Sequence, residues 1–151
     1  MKLCFTASSG GHLEQIMMLR PIMEKYDSVI LTEKTNYKFN SIGIDSYLVP
    51  QINRKELSFI IKFIYIIIIS LNIYIKEKPD VIISTGALST VPICIIAKIF
   101  KKKIVFIESF SKINSSTLTG KLMYKYADLF IVQWEELKEL YPKATYGGGI
   151  Y

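Results

Sequence analysis

Thr6-Ala7-Ser8-Ser9-Gly10-Gly11-His12 is the stretch on which the fold turns. Met1 to Ala7, leading into it, is an apolar run suited to a buried strand. His12 to Lys25, leading out, carries Leu13, Ile16, Met17, Leu19, Ile22 and Met23 at helical spacing. A strand that feeds a helix through two glycines aims unpaired backbone N–H groups at whatever sits above the turn. His12 falls on the first helical turn, where an imidazole could reach the same ligand. The pattern points to an α/β protein that handles a nucleotide or a phosphate.

Beyond this unit, apolar β-rich runs keep alternating with helical patterns. Ser28 to Thr32 and Ile44 to Val49 read as strands, the second closed by Pro50. A long apolar helix follows, and Lys78-Pro79-Asp80 ends it before a strand at Val81 to Ser84. Thr85-Gly86-Ala87 turns into a helix through Ile99, stopped by Lys101-Lys102-Lys103. Ile104 to Ile107 is the next strand. The polar stretch Ser109 to Ser116 leads to a helix around Leu118 to Tyr126, and Leu129 to Val132 is the last clear strand. The tail from Ala144 to Tyr151 reads as a flexible end or a short strand. Alternation with continuous Ile/Val strands predicts an α/β fold, a parallel sheet covered by helices on both faces. Ligands of such sheets sit beyond the carboxyl ends of the strands. Ser8–His12, Thr85–Ser89, Glu108–Ser116 and Gln133–Glu135 therefore converge on one edge.

The 151 residues suit one domain, 1–151, with a real core, and no linker or internal repeat divides them. Half of the residues are hydrophobic, mean hydropathy is +0.29, and the net charge is +6. An anionic partner is expected. Cys4 and Cys94 are lone residues in apolar stretches and match neither a metal spacing nor a disulfide framework, as in a reduced compartment. No signal peptide is read at the N-terminus. Leu57 to Ile75 is close to a membrane span in length, but Lys62, Ser70 and Asn72 interrupt it. A lysine inside a span costs roughly 2.5–3.5 kcal/mol. A crossover helix with an exposed apolar face, able to lie on a bilayer, is expected instead.

Ser8-Ser9-Gly10-Gly11-His12 is not the G-x-G-x-x-G dinucleotide fingerprint, and glycines also serve tight turns that bind nothing. His12 is the only histidine, so no histidine-based metal site is expected, and no cofactor. A neutral imidazole there could act as general base towards a hydroxyl, or could simply hydrogen-bond. Thr119-Gly120-Lys121 resembles the end of a Walker A loop, but position 114 is Asn and no strand directly precedes it. Glu108 ends a strand at the active edge; it could orient an acceptor hydroxyl, cap the next helix or meet a partner chain. Arg54, Lys55, Lys76, Lys78, Lys98 and Lys101 to Lys103 flank the most apolar helices. They fit an anionic bilayer, at about 1 kcal/mol per charge, as well as an ordinary basic rim. Nucleic acid is not an expected partner, because these lysines do not interleave with exposed aromatics.

Four segments together resemble a known family: Ser8-Ser9-Gly10-Gly11-His12-Leu13-Glu14-Gln15, Pro79-Asp80-Val81-Ile82-Ile83-Ser84-Thr85-Gly86, Phe106-Ile107-Glu108-Ser109, and Leu118 to Leu122 running on to Ala127 to Trp134. The chain resembles the PssD-type polysaccharide biosynthesis proteins of bacteria, counterparts of Alg-fourteen, the membrane-anchoring subunit of the dolichol-pathway N-acetylglucosaminyltransferase. The resemblance implies a Rossmann-like domain, the N-terminal, acceptor-side half of a GT-B glycosyltransferase. A separate PssE-type chain would supply the donor domain that grips the UDP-sugar. Eukaryotic members carry an N-terminal membrane anchor that is not read here, and they favour Gly-Pro-Gly where this chain has Ser84-Thr85-Gly86-Ala87-Leu88-Ser89.

The expected function is therefore an acceptor-binding, membrane-recruiting subunit at the cytoplasmic face of the plasma membrane. It would act on a polyprenyl-diphosphate-linked saccharide during capsule or exopolysaccharide assembly, transferring galactose or N-acetylglucosamine. His12 and then Glu108 are the catalytic candidates. Ser8, Ser9, Gly10, Gly11, Thr85, Gly86 and Ser109 are the candidates for substrate and phosphate binding. A non-catalytic scaffold that anchors and activates the donor-domain chain is the alternative, and a free-standing nucleotide-binding protein a third.

Overall fold

A computed structural model describes residues 1–35, 41 and 43–150. Seven strands form one parallel sheet in the order β3-β2-β1-β4-β5-β6-β7. They are β1 (Lys2–Ala7), β2 (Asp27–Glu33), β3 (Asp45–Val49), β4 (Val81–Ser84), β5 (Lys103–Ile107), β6 (Leu129–Val132) and β7 (Thr145–Tyr146). The helices are α1 (Gly11–Met17), α2 (Arg20–Lys25), α3 (Phe59–Glu77), α4 (Val91–Ile99) and α5 (Leu118–Met123). A 3-10 turn at Leu88–Thr90 runs directly into α4, and another spans Glu135–Glu139. The strand order reverses direction between β1 and β4, so the carboxyl ends of these two strands frame the crevice where such sheets take ligands.

Alternation along β1 divides the core. Leu3, Phe5 and Ala7 pack with Ile16 and Met23 of α1 and α2, while Cys4 faces the larger cluster built on α3, α4 and α5. Burial pushes the Cys4 thiol up to about 12 and raises that of Cys94 as well, so both behave as small apolar residues. The tail supplies a seventh strand at Thr145–Tyr146; Tyr151 lies outside the described residues.

The helix expected from His12 to Lys25 is instead two short ones. Pro21 is the cause: inside a continuous helix it could not donate to the Met17 carbonyl, whereas in the first turn of α2 its missing N–H costs nothing. The long apolar helix is present as α3. Lys78 stops it with a left-handed φ of 48°, its N–H donating to the Tyr74 carbonyl. Asp80 then accepts from the Lys2 N–H at 3.0 Å and the Lys102 ammonium at 2.9 Å.

Ile66, Ser70, Ile73 and Tyr74, at helical spacing, are the buried stripe of α3, which packs on α4. The remaining surface stays apolar: Ile60, Ile61, Ile64, Tyr65, Ile68 and Ile75 are all more than half exposed, Ile61 at 74%. By length and composition α3 could cross a membrane, and only 22% of its apolar window is buried. An unpartnered apolar face of this size on a soluble surface marks a contact with something else.

Candidate active site

The reversal between β1 and β4 gathers most of the residues singled out in the sequence. The Ser8 N–H donates to the Gly86 carbonyl at 3.0 Å, joining the two loops edge to edge. Beside this bond, His12 Nδ1 lies 2.6 Å from the Thr85 carbonyl oxygen, and Thr85 Oγ1 donates to the His12 carbonyl at 2.8 Å. A carbonyl can only accept, so in the neutral ring the hydrogen sits on Nδ1 and Nε2 keeps its lone pair. The ring itself is half-buried.

Gly86 makes this contact possible. Its φ of +96° suits glycine, and a Cβ there would stand 3.3 Å from His12 Cε1. Ser84 Oγ accepts from the Gly86 N–H and donates to Thr90 Oγ1, which donates on to the Ala87 carbonyl. The loop that carries the Thr85 carbonyl is thereby fixed from both sides.

The glycine turn takes the shape its sequence demands. Gly10 has φ +73°, and its carbonyl accepts from the N–H groups of Leu13 and Glu14. Open space surrounds the Cβ positions of both Gly10 and Gly11. Ser8 is buried, its Oγ only 3.4 Å from the Ser9 carbonyl. Ser9 turns instead to a residue the sequence had not singled out, Glu33 at the end of β2. Both its N–H (3.4 Å) and its Oγ (3.2 Å) donate to Glu33 Oε2.

Glu108, the second catalytic candidate, is 1% exposed, and its carboxylate takes its hydrogen bonds from within the fold. It accepts from Tyr141 Oη at 2.8 Å, from Thr117 Oγ1 at 2.9 Å and from the Ser109 N–H at 2.9 Å. Thr117 in turn caps α5, accepting from the Gly120 N–H at 2.7 Å. A Cβ on Gly120 would fall 1.9 Å from Glu108 Oε2, which explains the glycine of Thr119-Gly120-Lys121. Burial, and then the bond to Glu108, raise the Tyr141 phenol above its ordinary value. Ser109 closes its own loop through Ser111 Oγ at 3.0 Å and is likewise buried.

The same knot extends through amides the sequence reading passed over. Gln133 Nε2 donates to the Glu108 carbonyl at 2.8 Å and to Gln15 Oε1 at 3.2 Å, while its Oε1 accepts from the Ile150 N–H. Trp134 Nε1 donates to the Phe110 carbonyl. These buried amide bonds brace α1, the loop after β5 and the tail.

Next to the histidine corner lies a groove of about 820 Å³. Gly86 leaves room for the imidazole, and Ala87 and Leu88 after it line the groove. Other walls come from the segment between β3 and α3, with Arg54 and Lys55, and from Lys112 and Leu118 before and within α5. Glu33 and Ser89 complete it. Among the described residues no three His, Cys, Asp or Glu side chains cluster as metal ligands would.

The profile of the Alg14-like oligosaccharide biosynthesis proteins matches residues 50–150, and the chain belongs to that family. It is 34% identical over 125 residues to a rat protein named UDP-N-acetylglucosamine transferase subunit ALG14, covering 79% of this chain and 56% of that one. The human protein of the same name is 29% identical, covering 95% of this chain and 80% of its own length. The chain thus spans just over half of the rat relative. Among solved structures, MurG of Acinetobacter baumannii superposes with a TM-score of 0.76 at 14% identity over 97% of this chain and 44% of its own. A UDP-N-acetylglucosamine 2-epimerase of Rickettsia bellii gives 0.73 at 16% identity, over 99% and 45%. At those identities the likeness is one of fold: a sheet and helices like the N-terminal Rossmann-like half of GT-B proteins.

Proposed function

We propose that this chain is the acceptor-side subunit of a two-chain glycosyltransferase of the bacterial PssD type. A PssE-type donor-domain chain holds the UDP-sugar, and this chain presents a polyprenyl-diphosphate-linked saccharide to it during capsule or exopolysaccharide assembly. The observation that carries the proposal is the bond from His12 to the Thr85 carbonyl at the strand reversal, which leaves Nε2 as a base. The names of the relatives, subunits of a UDP-N-acetylglucosamine transferase, favour sugar transfer over other uses of the fold.

In this mechanism the acceptor hydroxyl gives its proton to His12 Nε2 as its oxygen bonds to the anomeric carbon. The bond from that carbon to the donor's diphosphate breaks, and UDP leaves with the electron pair. The imidazolium so formed keeps its Nδ1–H on the Thr85 carbonyl, whose dipole stabilises the new charge. Thr85 and Gly86 hold the ring, while Ser8, Ser9, Gly10 and Gly11 shape the turn that delivers it.

Attachment to the cytoplasmic face of the membrane uses α3. Its exposed isoleucines enter the interface while its buried stripe stays on α4, so the helix lies in the plane of the bilayer. Replacing Ile61, Ile64 and Ile68 together by Ser is expected to shift the chain from vesicle pellets to supernatant.

Co-expression with the donor-domain chain, followed by a donor-sugar screen on membranes, tests the proposal. Transfer that requires both chains is expected. Full transfer by this chain alone, or none by the pair with any UDP-sugar, contradicts it.

A further inference from the structure

The groove beside the histidine corner has an imbalance of charge that proton transfer to His12 does not require. Arg54, Lys55 and Lys112 line it, and none of the three side chains forms an ion pair among the described residues. Its two carboxylates do have partners: Glu33 accepts from Ser9, and Glu56 pairs with Lys62. The cations are left to face an outside anion.

A second observation lies in the opposite wall. Ser89 is 2% exposed, and its Oγ has no hydrogen-bond partner among the described residues. Thr32 Oγ1 and Ser70 Oγ are also unpaired among the described residues, but of the three Ser89 alone lines the groove, where its hydroxyl lacks an acceptor. Ser89 also sits in the first turn of the helical run Leu88–Ile99, where backbone N–H groups lack intrahelical partners and the helix dipole favours negative charge. The glycine turn offers less, because α1 behind it has only seven residues.

The apolar surroundings say what carries the anion. Leu118, 64% exposed, lines the groove itself, and fully exposed Leu57 follows its cationic wall directly. From Leu57 the bare isoleucines of α3 lead away. A ligand charged at one end and greasy at the other fits both surfaces.

Resting on the function proposed above, we infer that this groove, and not the glycine turn, holds the diphosphate of the lipid-borne acceptor, gripped by Arg54, Lys55, Lys112 and the Ser89 hydroxyl. The prenyl chain leaves past Leu57 and Leu118 towards α3. The diphosphate bridges the cationic loop and the helix start, which places the attached sugar beside Gly86 and His12.

Titrating the chain with farnesyl diphosphate, inorganic pyrophosphate and farnesol tests the site. Farnesyl diphosphate is expected to bind tightest of the three. Arg54→Gln and Lys112→Gln each weaken it about tenfold, the loss of one charge-assisted contact. Ser89→Ala weakens it several-fold without lowering the melting temperature, since the lost hydroxyl had no partner to leave behind. Pyrophosphate bound as tightly as farnesyl diphosphate would overturn the lipid part, and farnesol bound as tightly would overturn the anion part. Unchanged farnesyl diphosphate affinity in all three variants would overturn the site itself. In the two-chain complex, an acceptor KM unchanged by Lys112→Gln sinks the groove and leaves sugar transfer standing. Loss of binding in the variants, with no transfer by the wild-type pair, sinks the function and leaves the groove.

Discussion

The histidine corner and the Glu108 knot both stand at the carboxyl ends of strands in one sheet, yet they have opposite chemical character. At the first, His12 spends one nitrogen on the Thr85 carbonyl and keeps the other. At the second, Glu108 spends both oxygens on Thr117, Tyr141 and Ser109 and keeps nothing. A side chain whose bonding is complete can brace a structure but cannot exchange a proton with a substrate. Position at the ligand edge therefore nominates a residue; unspent bonding capacity selects it.

The largest break in this comparison comes from His12→Ala. Transfer by the two-chain complex is expected to fall about 10²- to 10⁴-fold, the usual worth of a general base, with the melting temperature nearly unchanged. Glu108→Ala inverts the pattern. Tyr141 and Thr117 lose their buried acceptor, and chemical denaturation is expected to show a loss of about 3 kcal/mol. Transfer per folded molecule stays near normal. Gly86→Ala falls between the two: its φ of +96° and the 3.3 Å approach to His12 Cε1 cost about 1–3 kcal/mol and displace the ring, so activity drops further than stability.

The smallest effect is acid weakening at the opposite end of the sheet. There the hydrogen bond from Lys2, then one from Tyr47, hold the Glu77 carboxyl below its ordinary value of 4.5. The hydrogen bond from the Lys2 N–H, then that from Lys102, does the same for Asp80. Depressed carboxyl values add stability that is complete above the unfolded values and is lost as pH falls through the folded ones. Melting temperature is expected to be flat near neutrality and to decline below about pH 4.5, with a shallower decline in Glu77→Gln.

Much of the architecture was legible because its signals are local. Ile/Val-rich runs marked β2, β4 and β5, the apolar run from Met1 to Ala7 marked β1, Lys78-Pro79 marked the end of α3, and Gly10-Gly11 marked the first crossover. The reading failed where one residue outweighed a pattern, as when Pro21 cut the periodic stretch from His12 to Lys25 into two helices. It failed again where partners come from distant parts of the chain. Nothing near Glu108 announces that Tyr141 and Gly120 enclose it, so its burial was not legible in the sequence. Ser89 and Lys112 fell within loops assigned to the ligand edge, but an unpaired hydroxyl and an unpaired cation become visible only once every neighbour is placed. Glu33 ended a strand without a motif around it.

Proton transfer to His12 Nε2 requires that the ring hydrogen sit on Nδ1. Nitrogen-15 NMR of the ring in its neutral form reads this directly. A protonated Nδ1 with an unprotonated Nε2 is expected, and Gly86→Ala should disturb that pattern. A neutral ring protonated on Nε2 would contradict that mechanism, because His12 would then have no lone pair to offer an acceptor.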